Sequence, residues 1–162
     1  MANLKELKIE IYDKSKHKKD IDTFANNLRD DDINELKAIG YTNLKEVCLE
    51  SLEGSEISIV VKSMQNEMLC IFGLSMIKTM YGRGIWCLCS KKIIEYKKEF
   101  LVNSYLVIEE WLNKYEKLYN YVDCRNEKTI RWLKWLGAKF SEPFPFGKEN
   151  TPFILFTIQK EE

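Results

Sequence analysis

From Lys97 to Tyr115 the side chains Phe100, Ser104, Val107, Ile108, Trp111, Leu112 and Tyr115 fall on one helical stripe, while Lys98, Asn103, Glu110, Asn113 and Lys114 face away. This long amphipathic helix stands between two strand-like segments, Ile85 to Cys89 and Leu118 to Asp123. A strand, a crossover helix and a second strand close on one sheet only with the two strands parallel and side by side. That unit limits the chain to α/β architectures and sets the sense of two strands before any other segment is read.

The flanking segments fill in a mixed sheet with helices on both faces. Leu7 to Tyr12 alternates Leu7, Ile9 and Ile11 with Lys8 and Glu10, a period-two pattern that predicts a half-buried first strand. Asp20 to Leu28 and Asp31 to Ile39 carry helical spacing, with Asp30, Asp31 and Asp32 placed to cap the second helix and Gly40 placed to end it. Asn43 to Leu52 predicts a third helix stopped by Gly54. Ile57 to Val61 and Met68 to Leu74 predict strands joined by a polar hairpin from Lys62 to Glu67, and Gly82 and Gly84 bracket a turn into the next strand. Thr129 to Leu136 predicts a helix ended by Gly137, and Phe153 to Ile158 a closing strand.

Composition narrows the function classes. At 162 residues the chain suits one domain, 1–162, with a single core, and 45% hydrophobic with 31% charged residues is a globular balance. Lys plus Arg and Asp plus Glu both number 25, so no net charge draws the chain toward nucleic acid, and no apolar run is long enough for a membrane span. The N-terminal segment, Met1 to Asp13, is charged, so no secretory leader or membrane anchor is expected. Five cysteines without a C-x-x-C pair suggest reduced thiols in a cytoplasm.

Individual residues carry competing readings. Cys87 and Cys89, two apart on a strand, face one way with Cα atoms about 6.6 Å apart, at the long limit for a disulfide, and read as core thiols. A zinc site needs two further ligands, and the lone His17 lies in the basic segment Lys14 to Lys19, read as a solvated loop, so no metal is expected. Asn126, between a strand and a helix, is a preferred N-cap, and Asp123 with Arg125 reads as an ion pair at a strand end. A nucleophilic Cys124 has only Arg125 near in sequence to lower its pKa. Trp111, Trp132 and Trp135 read as core, with Trp132 and Trp135 too close on a short helix for both to be hidden, which puts one at an interface.

The run Tyr121-Val-Asp-Cys-Arg-Asn126 followed by Thr129-Ile-Arg-Trp-Leu-Lys-Trp-Leu-Gly137-Ala-Lys-Phe140 resembles the closing motif of the GNAT acetyltransferase superfamily. A narrower likeness covers Asp32-Ile33, Glu35-Leu36, Gly40, Ser51, Ser55, Phe72-Gly73, and Pro143-Phe-Pro-Phe-Gly147 with Pro152-Phe153. These look like the small GNAT-like proteins of tailed phages, some labelled internal virion protein A. The resemblance implies a GNAT-like sheet whose fourth and fifth strands splay, with pantetheine lying along the fourth strand, here Ile85 to Ser90. On that basis the coenzyme-contacting residues are Cys87, Leu88, Cys89, Ser90 and Asn126, and no catalytic residue is assigned.

The same resemblance marks two departures. The superfamily seats the coenzyme's pyrophosphate on a glycine-rich loop at the next helix N-terminus, whereas Ser90 to Lys98 has no glycine. Many members also place a tyrosine general acid where this chain has Leu133, which has no proton to give. The expectation is a phage protein working through contacts with other phage proteins in virion assembly or genome delivery, in host cytoplasm or virion, with oligomers possible. No cofactor is then required. The alternative is an acetyl-CoA-dependent N-acetyltransferase acting on an amine.

Overall fold

A computed structural model describes residues 3–161. Eight strands form one mixed sheet: β1 Leu7–Ile11, β2 Ile57–Ser63, β3 Met68–Thr79, β4 Gly82–Cys89, β5 Lys117–Asp123, β6 Lys139–Phe140, β7 Phe144–Phe146 and β8 Thr151–Gln159. Their order is β1-β2-β3-β4-β5-β8-β6, with β7 also on β8. The helices are α1 Lys14–His17, α2 Ile21–Asn26, α3 Asp30–Ile39, α4 Leu44–Gly54, α5 Lys97–Tyr115 and α6 Glu127–Trp135.

Alternation along β2, β3 and β4 divides the core between the sheet's two faces. Val60, Ile71 and Leu88 pack with Ile21, Phe24 and Leu52 of α2 and α4 on one side. Leu74, Ile85, Ile108 and Trp111 pack on the other, under α5, with Leu133 of α6 and Ile154 and Phe156 of β8. A one-residue slip would move each set to the opposite face, against side chains it does not fit, so the register is strongly specified.

The crossover unit forms as the helical stripe requires, with β4 parallel to β5. The pairing sits lower than Ile85–Cys89, at Arg83 with Leu118 and Gly84 with Tyr119, and beyond Gly84 the two strands diverge. Gly84 lies inside β4 and Gly82 opens it with φ 102°, so these glycines belong to the strand and do not bracket a turn ahead of it. Gly82 has no room for a side chain: a Cβ there would lie 2.2 Å from the carbonyl oxygen of Lys117.

Three further expectations are corrected. The segment from Lys14 is helical, not a solvated loop: His17 is fully buried, accepts the Asp13 N–H on Nδ1 at 2.9 Å and stacks on Tyr12. The acidic run Asp30–Asp32 does not cap α3, whose N-cap is Arg29 without a side-chain bond, because Asp32 turns inward toward β4. Strand β1 is an edge whose alternation does not match burial, since Ile9 and Ile11 are exposed while Glu10 is half-buried and paired to Lys16. Strands β6 and β7 and a 3₁₀ turn at Lys91–Tyr96 were not legible; two- and three-residue strands are too short for a period to show.

Candidate functional site

The divergence of β4 from β5 opens a groove of about 1050 Å³. Its walls include Arg29, Asp32 and Glu35 from the start of α3, Cys87 and Cys89 of β4, and Asn126 at the start of α6. Antiparallel pairing explains which backbone groups face it. Ser90 donates its N–H to the Leu69 carbonyl on the β3 side, so the N–H and C=O of Cys89 and Cys87 point away from β3, toward the groove.

At Cys89 those groups are taken by the chain itself. Its N–H is donated to Asp32 Oδ2 at 2.9 Å, and its carbonyl accepts the Arg29 N–H at 3.0 Å. Leu28 bridges to Ser90, and Lys91 donates its N–H to the Asn27 carbonyl at 2.8 Å. The linker between α2 and α3 therefore lies along the upper edge of β4 as a short added strand.

Asp32 is buried, and the desolvation of its carboxylate pushes its pKa up to about 6, against the pull of the Cys89 N–H and of Arg29, whose Nη2 stands 3.0 Å from Oδ1. Burial works against the Arg29 charge, and Asp32 outweighs it, so the guanidinium pKa is raised and the cation persists.

Glu35, one turn further along α3, is half-buried beside Asn126. Desolvation, with the nearby Asp32 and Asp123 carboxylates, raises its pKa to about 7, while the hydrogen bond from Asn126 Nδ2 at 3.1 Å opposes the rise. Glu35 is the carboxylate in this groove suited by pKa to exchange a proton near neutrality. No local pattern reveals it, because its neighbours Asn126 and Asp123 are some ninety residues away in sequence.

The remaining residues singled out from sequence hold structural positions. Asn126 is nearly fully buried and caps α6, accepting the Thr129 N–H at 3.3 Å, so its two ends join the helix start to Glu35. Asp123 and Arg125 form an ion pair at 2.6 Å, with Asp123 buried and Arg125 in solvent. Cys124 has its pKa raised by burial and by Asp123, the wrong direction for a nucleophile. Leu133 is buried at the contact of α6 with the sheet. Trp132 leans on Phe100 and donates to Ser104 Oγ at 3.1 Å, whereas Trp135 is 55% exposed against Tyr105. Cys87 and Cys89 also meet Cys70 of β3, which sequence spacing alone does not join to them.

The residues of the narrower likeness have identifiable work. Ser55 donates to the Ser51 carbonyl at 2.7 Å and accepts Trp86 Nε1 at 2.8 Å, and the indole so held lies over Gly73. Gly40 ends α3 in the left-handed region at φ 118°. Gly147 closes the Phe144–Phe146 strand against the Ala38 carbonyl, beside a cluster of Tyr121, Phe144, Phe146 and Phe153 rings.

A mixed sheet with one parallel pair splayed around a groove, a long crossover helix and helices on both faces is the GNAT acetyltransferase fold. The ribosomal-protein-S5-alanine acetyltransferase of Vibrio fischeri is similar with a TM-score of 0.72 and 12% identity, over 99% of this chain and 97% of that one. A GNAT-family acetyltransferase of Bacillus anthracis is similar with a TM-score of 0.70 and 14% identity, over 99% and 98%. At such identities the likeness is one of fold. The family described as Bacteriophage T7, probable scaffold protein Gp13, matches residues 59–145, more than half of the chain, and the chain belongs to it. The probable scaffold protein gp13 of Escherichia phage T7 is 37% identical over 76 residues, 47% of this chain and 50% of that protein, so the match spans about half the length of the curated relative.

The fold implies coenzyme A, and the groove's residues fit it poorly. Pantetheine bonded along β4 would compete with Asp32 and Arg29 for Cys89. The pyrophosphate position at the start of α5 meets the glycine-free 3₁₀ turn Lys91–Tyr96, whose Ser90 cap already holds the Lys92 N–H. In the first turn of α5 the buried Glu99 carboxylate accepts the Lys5 N–H at 2.9 Å, away from the groove, whose lining on this side includes Lys97 and Phe100.

Proposed function

We propose that this chain is a tailed-phage protein working as a single GNAT-fold domain, through contacts with other phage proteins, in virion assembly or genome delivery. Its setting is the host cytoplasm or the virion. The acetyl-transfer chemistry of the fold is degenerate. The observation that carries this reading is the occupation of Cys89 by Asp32 and Arg29, because it takes up one end of the strand edge a coenzyme would use as an intramolecular contact. Membership of a family described as scaffold protein supports the partner class. Among the described residues no helix is long and apolar enough to cross a membrane, and exposed Ile9, Ile11 and Trp135 offer apolar contact area for partners.

A second reading has an observation of its own. The groove is roomy and holds Glu35 near neutrality, which suits an N-acetyltransferase acting on an amine. Titrating acetyl-CoA to millimolar levels at about 0.15 M salt, with the melting midpoint as readout, separates the two. The assembly reading expects no rise, or a small one abolished by added salt. A salt-resistant rise at micromolar ligand would replace it with the transferase reading.

A further inference from the structure

We propose that Cys70, Cys87 and Cys89 form a binding site for one thiophilic d10 cation, monovalent copper or zinc, held by three sulfurs. The site is independent of the groove's reading as degenerate or active.

The backbone places the thiols. Cys87 and Cys89 are two apart on β4 and share a face, and Cys70 stands directly opposite Cys89 on β3. By the ladder's alternation this is a non-hydrogen-bonded pair, the kind in which side chains approach most closely. Ile71 and Leu88, buried on the opposite face, fix that register.

The sulfurs make a nearly regular triangle, with Sγ separations of 3.5 Å for Cys70–Cys87, 3.7 Å for Cys70–Cys89 and 3.8 Å for Cys87–Cys89. A mean side divided by √3 puts its centre about 2.1 Å from each sulfur, close to the zinc–thiolate bond length of about 2.3 Å. A cation lying just off the sulfur plane is thus accommodated with little movement. A disulfide would use two of these thiols; three converging sulfurs match a thiolate complex better.

The surroundings select a soft ion. Val61, Phe72, Ile93 and Phe100 pack around the thiols, and among the described residues no carboxylate or imidazole joins the group, so hard cations find no oxygen ligands. Cys70 and Cys89 are buried, but Cys87 is half-buried and borders the groove, which gives an entry path. Binding replaces up to three S–H protons by three metal–sulfur bonds, releases those protons to solvent and changes no oxidation state. A three-sulfur set with no fourth side chain suits three-coordinate copper, and zinc would add a water on the groove side.

The test uses the full, reduced chain in the absence of oxygen, titrated with monovalent copper and separately with zinc against a coloured chelator. Bound metal, thiolate-to-metal charge-transfer absorption and proton release are recorded. One ion per chain, retained in a Cys48→Ala/Cys124→Ala double variant and lost in Cys87→Ser, is the expected result. Cys87 is chosen because it is the least buried of the three, and circular dichroism checks that the variant is folded. Should Cys87→Ser unfold, Cys70→Ala and Cys89→Ala, read by the same titration, take its place. Uptake of either ion with this dependence supports the site, and which ion binds reports its coordination number. Failure of both ions to compete with the chelator, or binding that survives loss of any one of the three thiols, overturns it.

Discussion

Replacing Glu35 by glutamine tests the electrostatics of the groove with one atom-for-atom change. The folded chain holds the Glu35 proton up to about pH 7, whereas the unfolded chain releases it near 4.5. Between those values the native state binds the extra proton, so the Glu35 contribution to stability is full below about pH 4.5 and falls as pH rises to about 7. At about 1.4 kcal/mol per pH unit the whole window amounts to about 3 kcal/mol, reduced by any water that enters the open groove. Glutamine keeps the shape and an oxygen for Asn126 Nδ2 but never ionises. The melting midpoint of Glu35→Gln relative to wild type should therefore rise across that window, by several degrees at pH 8, since about 1 kcal/mol moves a domain of this size by about 2–4 °C. Differential scanning at half-unit pH steps gives the curve. A difference that is flat with pH, or that grows toward acid, would refute the assignment of a raised carboxyl to Glu35.

Two other outcomes follow from single contacts. Asn126→Ala removes the cap of α6 and the tether to Glu35, and should lower stability by about 1–2 kcal/mol, read as a shift of the urea midpoint with unchanged slope. Gly73→Ala brings a Cβ to 2.6 Å from the Ile57 carbonyl and 2.7 Å from Trp86 Nε1; it should break the Trp86–Ser55 bond and cost about 1–3 kcal/mol, with changed tryptophan fluorescence as the check.

The elements that could be read from sequence are those whose period runs long enough to count. The α5 stripe, the strands that flank it and Gly40 and Gly137 as stops all follow from side-chain spacing and backbone freedom, and the parallel sense of β4 and β5 follows from the crossover. Edge position escapes such a reading: Leu7–Ile11 has a strand's alternation, but only the assembled sheet shows that β1 has one neighbour and that Ile9 and Ile11 stay in solvent.

The site is a different case. Cys87 and Cys89 were visible as a pair, yet Cys70 joins them only through the β3–β4 register. By its place at a helix start Asp32 suits a capping role; the sheet beside it offers the Cys89 N–H, and that buried donor needs a partner more than a solvated helix end does. Glu35 took its meaning from Asn126 and Asp123, far along the chain. Sequence determined the segments and the sense of their connection, since those depend on residues a few places apart. Which side chains share a groove, and which carboxylates lose their water there, depends on strands and helices brought together from distant positions, and the tertiary structure alone decided it.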